Sequence, residues 1–372
     1  MSYLEAHEKE LYELRFSPMC KPAAEVANLT QLESHSTRGR VMMMWRIAAG
    51  HLEWGEREAE LLYETTLDSI SEAFDVFHYP VSQYMLDARA EVWEAGLAPT
   101  AVQGAVEKAK ESSATFPAPE AVDGVLVLAG EIGQIARHEY FSSVLEDVLQ
   151  RVKVAASIWP ADCGALAYAL GARQEAQTQA QRVVERISDL GVKEIIVDGP
   201  ETAWALLKIY PALGVNLPQD TKISLLSTLL FEKGGNFGEI SETVVYHDSR
   251  PAYLIAEGKP THLAILPGYL EDENQFGEGE VYEAPRRLLK LMGAEILFGS
   301  WTRGLAKSCG ADDGLWLTHP HLAQGLARQR LVYAKSLGAD QIIADSPLCA
   351  HWMAENATGG DPSVRWLPEV LG

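Results

Sequence analysis

The residues of this chain best suited to chemistry are thiols, and two of them sit in matching surroundings. Cys163-Gly164 and Cys309-Gly310 lie 146 residues apart (309 − 163). Cysteines in defined turns ligate borderline metals or exchange disulfides, so the pair hints at two metal sites. The four cysteines, Cys20, Cys163, Cys309 and Cys349, nowhere show a zinc-finger or disulfide-framework spacing. His247-Asp248 has the composition of a catalytic dyad, but neighbours on a strand point to opposite faces and do not meet. No phosphate loop, nucleophile elbow, His-Glu-x2-His or dinucleotide fingerprint stands in a supporting context.

What positions the thiols is a duplication. Gly191-x3-Ile195-Ile196-x-Asp198-x-Pro200 recurs as Gly338-x3-Ile342-Ile343-x-Asp345-x-Pro347, offset by 147 at each position (338 − 191). A period this long marks a duplicated domain rather than a solenoid unit. Residues 1–118 read as nearly all helix, with apolar residues at helical spacing over 40–50, 56–74 and 81–95, and 112–119 as a linker by composition. Residues 122–236 read as strand 124–129, helix 141–151, strand 154–158, Cys163-Gly164, helix 172–190 and strand 194–197. Residues 241–372 repeat the pattern with strands 243–246, 294–298 and 341–344, helix 320–337, and a last helix opened by Pro347. Strands alternating with helices imply an α/β fold with a parallel sheet in each copy. Thr318-His319-Pro320-His321 reads as a helix start. Residues 234–238 read as a linker, and the acidic insert 271–280, absent from the first copy, as a surface loop.

The 372 residues suffice for two or three domains, and 47% are apolar. The net charge of −21 argues against a nucleic-acid or anionic-membrane surface. The N-terminus is charged, without the apolar centre of a signal peptide, and no run of 18 apolar residues exists. Few, scattered cysteines suit a reducing, cytoplasmic location, membrane-peripheral only through partners.

With these residues placed, the chain resembles the cysteine-rich "CCG" iron–sulfur subunits, such as those of glycolate oxidase, anaerobic glycerol-3-phosphate dehydrogenase and heterodisulfide reductase (B and D subunits). Such proteins pair a two-cluster ferredoxin-like helical region with two CCG domains. Each domain gathers a Gly-Cys, a Cys-Cys-Gly and a Cys-Pro-x-Cys around a metal or cluster. In the first copy, Gly130-Glu131, Asp162-Cys163-Gly164 and Gly199-Pro200-Glu201-Thr202 stand in those places. In the second they are Tyr246-His247-Asp248-Ser249-Arg250, Ser308-Cys309-Gly310 and Ser346-Pro347-Leu348-Cys349. The two ferredoxin runs fall on Leu14, Ser17, Cys20 and Ala24, and on Thr65, Asp68, Ser71 and Asp75. Thr37-Arg38-Gly39-Arg40 resembles the Ser-Pro-Arg-Gly-Arg that follows the first run in relatives.

The resemblance implies two duplicated CCG-type α/β domains behind an all-α, degenerate ferredoxin-like region. It also implies that the thiolates needed by 4Fe–4S clusters are mostly gone. The CCG ligand slots still cysteine are Cys163, Cys309 and Cys349. Cys163 alone reads as a small buried residue at a tight turn, with Glu131 and Asp162 as carboxylates able to hold a hard cation. Cys309 and Cys349, in slots of one domain, are expected to be neighbours. With His247, His319, His321 or His351 they suit zinc, and by themselves a redox pair. Arg250, a permanent cation in a ligand slot, requires a partner, expected among Asp248, Asp312 and Asp313. The first functional expectation is a non-catalytic docking subunit of an oxidoreductase complex. Its partners would be an FAD-dependent dehydrogenase or heterodisulfide-reductase-like subunits. The second is a redox or metal-binding subunit with a small centre at Cys309 and Cys349. The third is a metabolite-binding protein using the cleft between the repeats.

Overall fold

The computed structural model describes residues 2–17, 20–74, 78–235, 237–256 and 280–371. Two four-stranded sheets carry the fold, and every adjacent pair of strands is parallel. The first contains β1 (Val125–Leu128), β2 (Ser157–Trp159), β3 (Glu194–Val197) and β4 (Lys222–Leu225), in the order β2-β1-β3-β4. The second contains β5 (Thr243–His247), β6 (Glu295–Ile296), β7 (Gln341–Ala344) and β8 (Ser363–Trp366), in the order β6-β5-β7-β8. The orders are the same once the repeat is taken into account.

The register carries the duplication to single residues. Leu128 lies opposite Val197 in the first sheet, and His247 opposite Ala344 in the second. Val197 and Ala344 are 147 apart (344 − 197), so His247 occupies the place of Leu128. The Cys-Gly turns match too. Gly164 and Gly310 have φ of +82° and +90°, where a side chain is strained. A Cβ there would lie 2.9 Å from the Ala176 carbonyl oxygen and 2.4 Å from that of Ala323, in the following helices Arg173–Asp189 and Pro320–Ser336. The glycine of each pair therefore serves the close approach of a helix.

In the first sheet, successive strand residues feed different cores, as a pleat requires. Leu126, Leu128, Ile195 and Val197 pack with the N-terminal helices and helix Arg173–Asp189. Val127 and Ile196 turn to the other face and join the core of the second sheet with Val244, Ile342 and Ile343. The helical region and first sheet thus share one core, and the two sheets share another.

The N-terminal helices are Thr37–Ala48, Glu56–Tyr63, Ser69–Phe74, Val81–Glu94 and Thr100–Thr115. The expected helix over 56–74 is interrupted between Tyr63 and Ser69, where Asp68 adopts a φ of +56°. The expected linker begins inside the helix Thr100–Thr115, which runs through Ser112 and Ser113. Helix Pro320–Ser336 starts where Thr318-His319-Pro320 was expected to start one. The acidic insert 271–279 lies outside the described residues, and Glu280 opens the helix Glu280–Leu291. No helix among the described residues is long and apolar enough to cross a membrane.

Candidate functional site

The repeats meet crosswise. Residues Ile132–Gln134, just after Glu131, pack on helix Pro347–Glu355, while helix Pro200–Trp204 packs on helix Arg250–Ile255. The first slot of each copy therefore faces the last slot of the other.

In the second copy, three residues converge. His247 is the last residue of β5, Cys309 lies at the Cys-Gly turn, and Cys349 sits in the first turn of helix Pro347–Glu355. Their Nδ1 or Nε2 and Sγ atoms all lie within 4.8 Å of one another, and all three residues are buried. Two slot residues that are serine hold the turns. The Ser346 hydroxyl accepts from the Cys349 amide at 3.1 Å, and the Ser308 hydroxyl from the Gly310 amide at 2.8 Å. Cys349 Sγ points at Asp312 Oδ1, 3.8 Å away.

The electrostatics of this group favour neutral forms. Burial, with the Arg330 charge acting in the same direction, brings His247 down to about 3. Burial pushes Cys309 up, and the hydrogen bond to Cys309 together with burial pushes Cys349 well up. His247 is 5% exposed, and its Nε2 has no hydrogen-bond partner among the described residues. An unpaired buried ring nitrogen costs about 1–3 kcal/mol. The ring and the two thiols together are a set of donors suited to a borderline cation. Of the four histidines considered, only His247 joins the thiols. His319 pairs with Glu60, His351 packs against Phe141, and His321 is exposed.

The first copy is built differently. Thr202 stands in the place of Cys349, and its hydroxyl donates to Asp198 Oδ1 at 2.6 Å. Asp162 Oδ1 accepts from the Gly164 amide at 2.8 Å, the turn-holding role that Ser308 has in the second copy. Glu131 Oε1 accepts from the Glu201 amide at 2.9 Å, and Ser346 donates to Glu131 Oε2 across the seam. Burial first, then the Asp198 and Glu201 charges, raise Glu131 well above the carboxylate range. Cys163 is buried beside Gly130 and Thr202, apart from the other two thiols.

Arg250 is buried, and its guanidinium bonds a hydroxyl and two carbonyls instead of the expected carboxylate. Its Nε and Nη2 donate to Ser69 Oγ at 3.1 and 2.8 Å, and Nη1 to the carbonyls of Gly304 and Ala306 at 3.1 and 2.8 Å. The candidate acids form no side-chain ion pair with it, although the Arg250 charge acts on Asp312 and Asp313 and the Arg250 backbone bonds Asp312. Asp248 holds Arg286 through two bonds of 2.8 and 2.6 Å, Asp313 accepts from the Leu67 amide, and Asp312 from the Ser308 hydroxyl. Asp248 points away from the thiols, as strand alternation requires, and Arg286 holds it below the usual carboxylate range despite burial.

The ferredoxin-run positions are likewise filled by protein. Arg40 Nη1 lies 3.2 Å from Asp68 Oδ2 and also donates to the His35 carbonyl. Ser71 bonds Thr37 at 2.6 Å, and Arg89 donates to the Thr65 carbonyl at 2.8 Å. Asp75 lies outside the described residues. The arginines Arg40, Arg89 and Arg286 escaped sequence reasoning; the Arg-Gly-Arg run was the available signal for Arg40. Between the repeats, Asp198 and Asp345 line a cavity of about 10 Å³, room for about one water.

With this geometry in hand, the comparisons are direct. Residues 271–354 match the family model of the cysteine-rich domain, CCG. This span contains Cys309 and Cys349, and it bears out the resemblance to the CCG iron–sulfur subunits. EtfAB:quinone oxidoreductase of Syntrophomonas wolfei subsp. wolfei (strain DSM 2245B / Goettingen) is 26% identical over 210 residues, covering 54% of this chain and 26% of that protein. The chain thus spans about a quarter of the length of the curated relative it matches. A hypothetical protein from Helicobacter pylori, known from its crystal structure, shares the fold. Its TM-score is 0.58 over 99% of this chain and 75% of that one, at 11% identity.

Proposed function

We propose that this chain, whose second repeat matches the cysteine-rich domain family, is a subunit of an oxidoreductase assembly. In this reading it has exchanged the family's cluster relay for one small, structural metal centre at His247, Cys309 and Cys349. The observation that carries this reading is the convergence of the buried His247 ring, whose Nε2 is unpaired, with two buried thiols. Zinc suits such nitrogen and sulfur donors. A cubane does not suit the residues present. It requires four ligands, mostly thiolates, and Arg250, Glu131, Arg40 and Asp68 stand in or beside the slots. Cys163, buried beside Gly130 and Thr202, serves packing.

Docking is the second element. Arg15 lies 4.1, 4.2 and 4.0 Å from the ring centres of Tyr12, Phe16 and Trp45, and Phe16 is 61% exposed. An exposed aromatic group of this kind favours a protein partner. The Syntrophomonas protein is by name an oxidoreductase between EtfAB and quinone. Its likeness, with the family resemblance, favours a flavoprotein or a heterodisulfide-reductase-like subunit as that partner. The 10 Å³ cavity on the seam lends a metabolite-binding role no support.

Metal and acid-labile sulfide analysis with a visible spectrum tests the centre. A colourless protein with about one thiol-bound zinc per chain is expected. A brown protein carrying several irons and sulfide would overturn it.

A further inference from the structure

We propose a second divalent-cation site, independent of the thiols, where the helical region meets the second repeat. Glu60 and Glu64 lie one helical turn apart at the end of helix Glu56–Tyr63. They face His319, the residue before helix Pro320–Ser336. One donor atom from each of the three lies within 4.8 Å of the other two. His35 adjoins them, its Nε2 3.0 Å from Glu64 Oε2.

The hydrogen-bond bookkeeping of the two imidazoles points to a cation. His319 Nδ1 lies 3.1 Å from the Thr318 hydroxyl, and His35 Nδ1 lies 2.8 Å from the Thr30 hydroxyl. Each hydroxyl already gives its single hydrogen to a backbone carbonyl, Thr318 to Gly314 at 3.2 Å and Thr30 to Val26 at 2.9 Å. With its hydrogen on the carbonyl, each accepts from its histidine in the ring tautomer that carries the proton on Nδ1. Nε2 then presents a lone pair to a carboxylate oxygen, at 2.9 Å in His319–Glu60 and 3.0 Å in His35–Glu64. Two acceptors at that distance repel unless a proton or a metal ion sits between them. An Nδ1–H held by an oxygen, with Nε2 free toward carboxylates, is the way protein ligands are commonly oriented for a metal.

Nitrogen and carboxylate donors without sulfur suit zinc or a similar first-row divalent ion. Arg57, which bonds Glu64 Oε1 at 2.9 Å, has a side chain 55% exposed and is free to move aside. Glu60 and Glu64 belong to the helical region and His319 to the second repeat, so a bound ion would fasten one to the other.

The test is titration of the metal-stripped full chain with zinc chloride, followed by calorimetry and thermal unfolding, and with cobalt chloride, followed by absorption. Wild type, Glu60→Gln and the double variant Cys309→Ser/Cys349→Ser are compared. Glu60 is partly exposed, so its variant should fold. We expect Glu60→Gln to lose about one equivalent of bound ion and its share of the zinc-induced rise in melting temperature, while keeping any thiolate-to-cobalt band. The double variant should keep that equivalent and lack the band. An unchanged stoichiometry in Glu60→Gln, or loss of all binding in the double variant, would overturn the site, leaving imidazolium–carboxylate pairs as its content. Loss of the band alone speaks only to the thiol centre.

Discussion

Ser346 donates its hydroxyl hydrogen to Glu131 across the seam between the two repeats. Both residues stand in slots that the family fills with cysteine. In this chain the slots bind each other, and the interface is a hydrogen-bonded one. Glu131 also accepts the Glu201 amide and is held in its protonated range by burial and by Asp198 and Glu201. Glu131→Gln keeps the shape and neutrality but accepts through one oxygen, so it should cost less than removal of the side chain, about 1 kcal/mol. Glu131→Ala leaves an amide and a hydroxyl without partners, and should cost about 1–3 kcal/mol. Urea unfolding of the pair, with equal m-values, checks this; equal losses in both variants would show that the bonds do not hold the seam.

The same acids set a pH dependence. Burial raises Glu201 from 4.5 to about 8, and Asp198 and Asp313 from 3.8 to about 6 each. A group whose folded value is raised holds a proton that the unfolded chain has given up. Its stabilising effect is complete below the unfolded value and lost as pH rises through the folded one. The urea midpoint should therefore fall between pH 6 and pH 8.5, and Glu201→Gln should flatten that slope. A midpoint that rises over this range, or a slope untouched by Glu201→Gln, would contradict the assignment.

The buried pair Asp248–Arg286 gives the sharpest stability expectation. Arg286 bonds both oxygens of Asp248 and also the Thr302 hydroxyl, with all three residues buried. Asp248→Asn leaves the Arg286 charge without its counter-ion, which should cost about 3–5 kcal/mol. Asp248→Asn/Arg286→Met should recover much of that, because the desolvated charge is gone with its partner. A double-mutant cycle in urea measures the recovery; a double variant no more stable than the single one would refute the pairing as the source of the loss.

How far the sequence spoke depended on how local each signal was. The 147-residue offset disclosed the duplication, and apolar β-branched runs such as Glu194–Val197 disclosed the central strands. The edge strands β4 and β8 were silent. Lys222–Leu225 and Ser363–Trp366 are partly exposed edges with polar residues in alternation, and no continuous apolar run marks them. The proximity of Cys309 and Cys349 was legible only through the family slots. Choosing His247 from four histidines required the register of β5 on β7, which composition does not contain. Arg286, 38 residues from Asp248 in the chain, carried no local mark of its partner.

That register supplies the last prediction. His247 occupies the position of Leu128 in the first repeat, opposite Ala344 where Leu128 lies opposite Val197. His247→Leu therefore installs a residue that the same fold already accepts at the equivalent site. Without a metal, the substitution removes an unpaired buried nitrogen and adds apolar contact, so the stripped protein should gain stability, by about 1 kcal/mol or more. With zinc present, the wild type gains the binding free energy of an ion that the variant holds poorly, so the order reverses and the variant should melt below the wild type. Melting temperatures of both proteins, in chelator and in excess zinc, read the two signs directly. If His247→Leu stabilises the protein equally in both conditions, the imidazole is no ligand and the centre at Cys309 and Cys349 must be assigned without it. If it destabilises the stripped protein, then the Nε2 of His247 is paired in solution, and the observation on which the centre rests is lost.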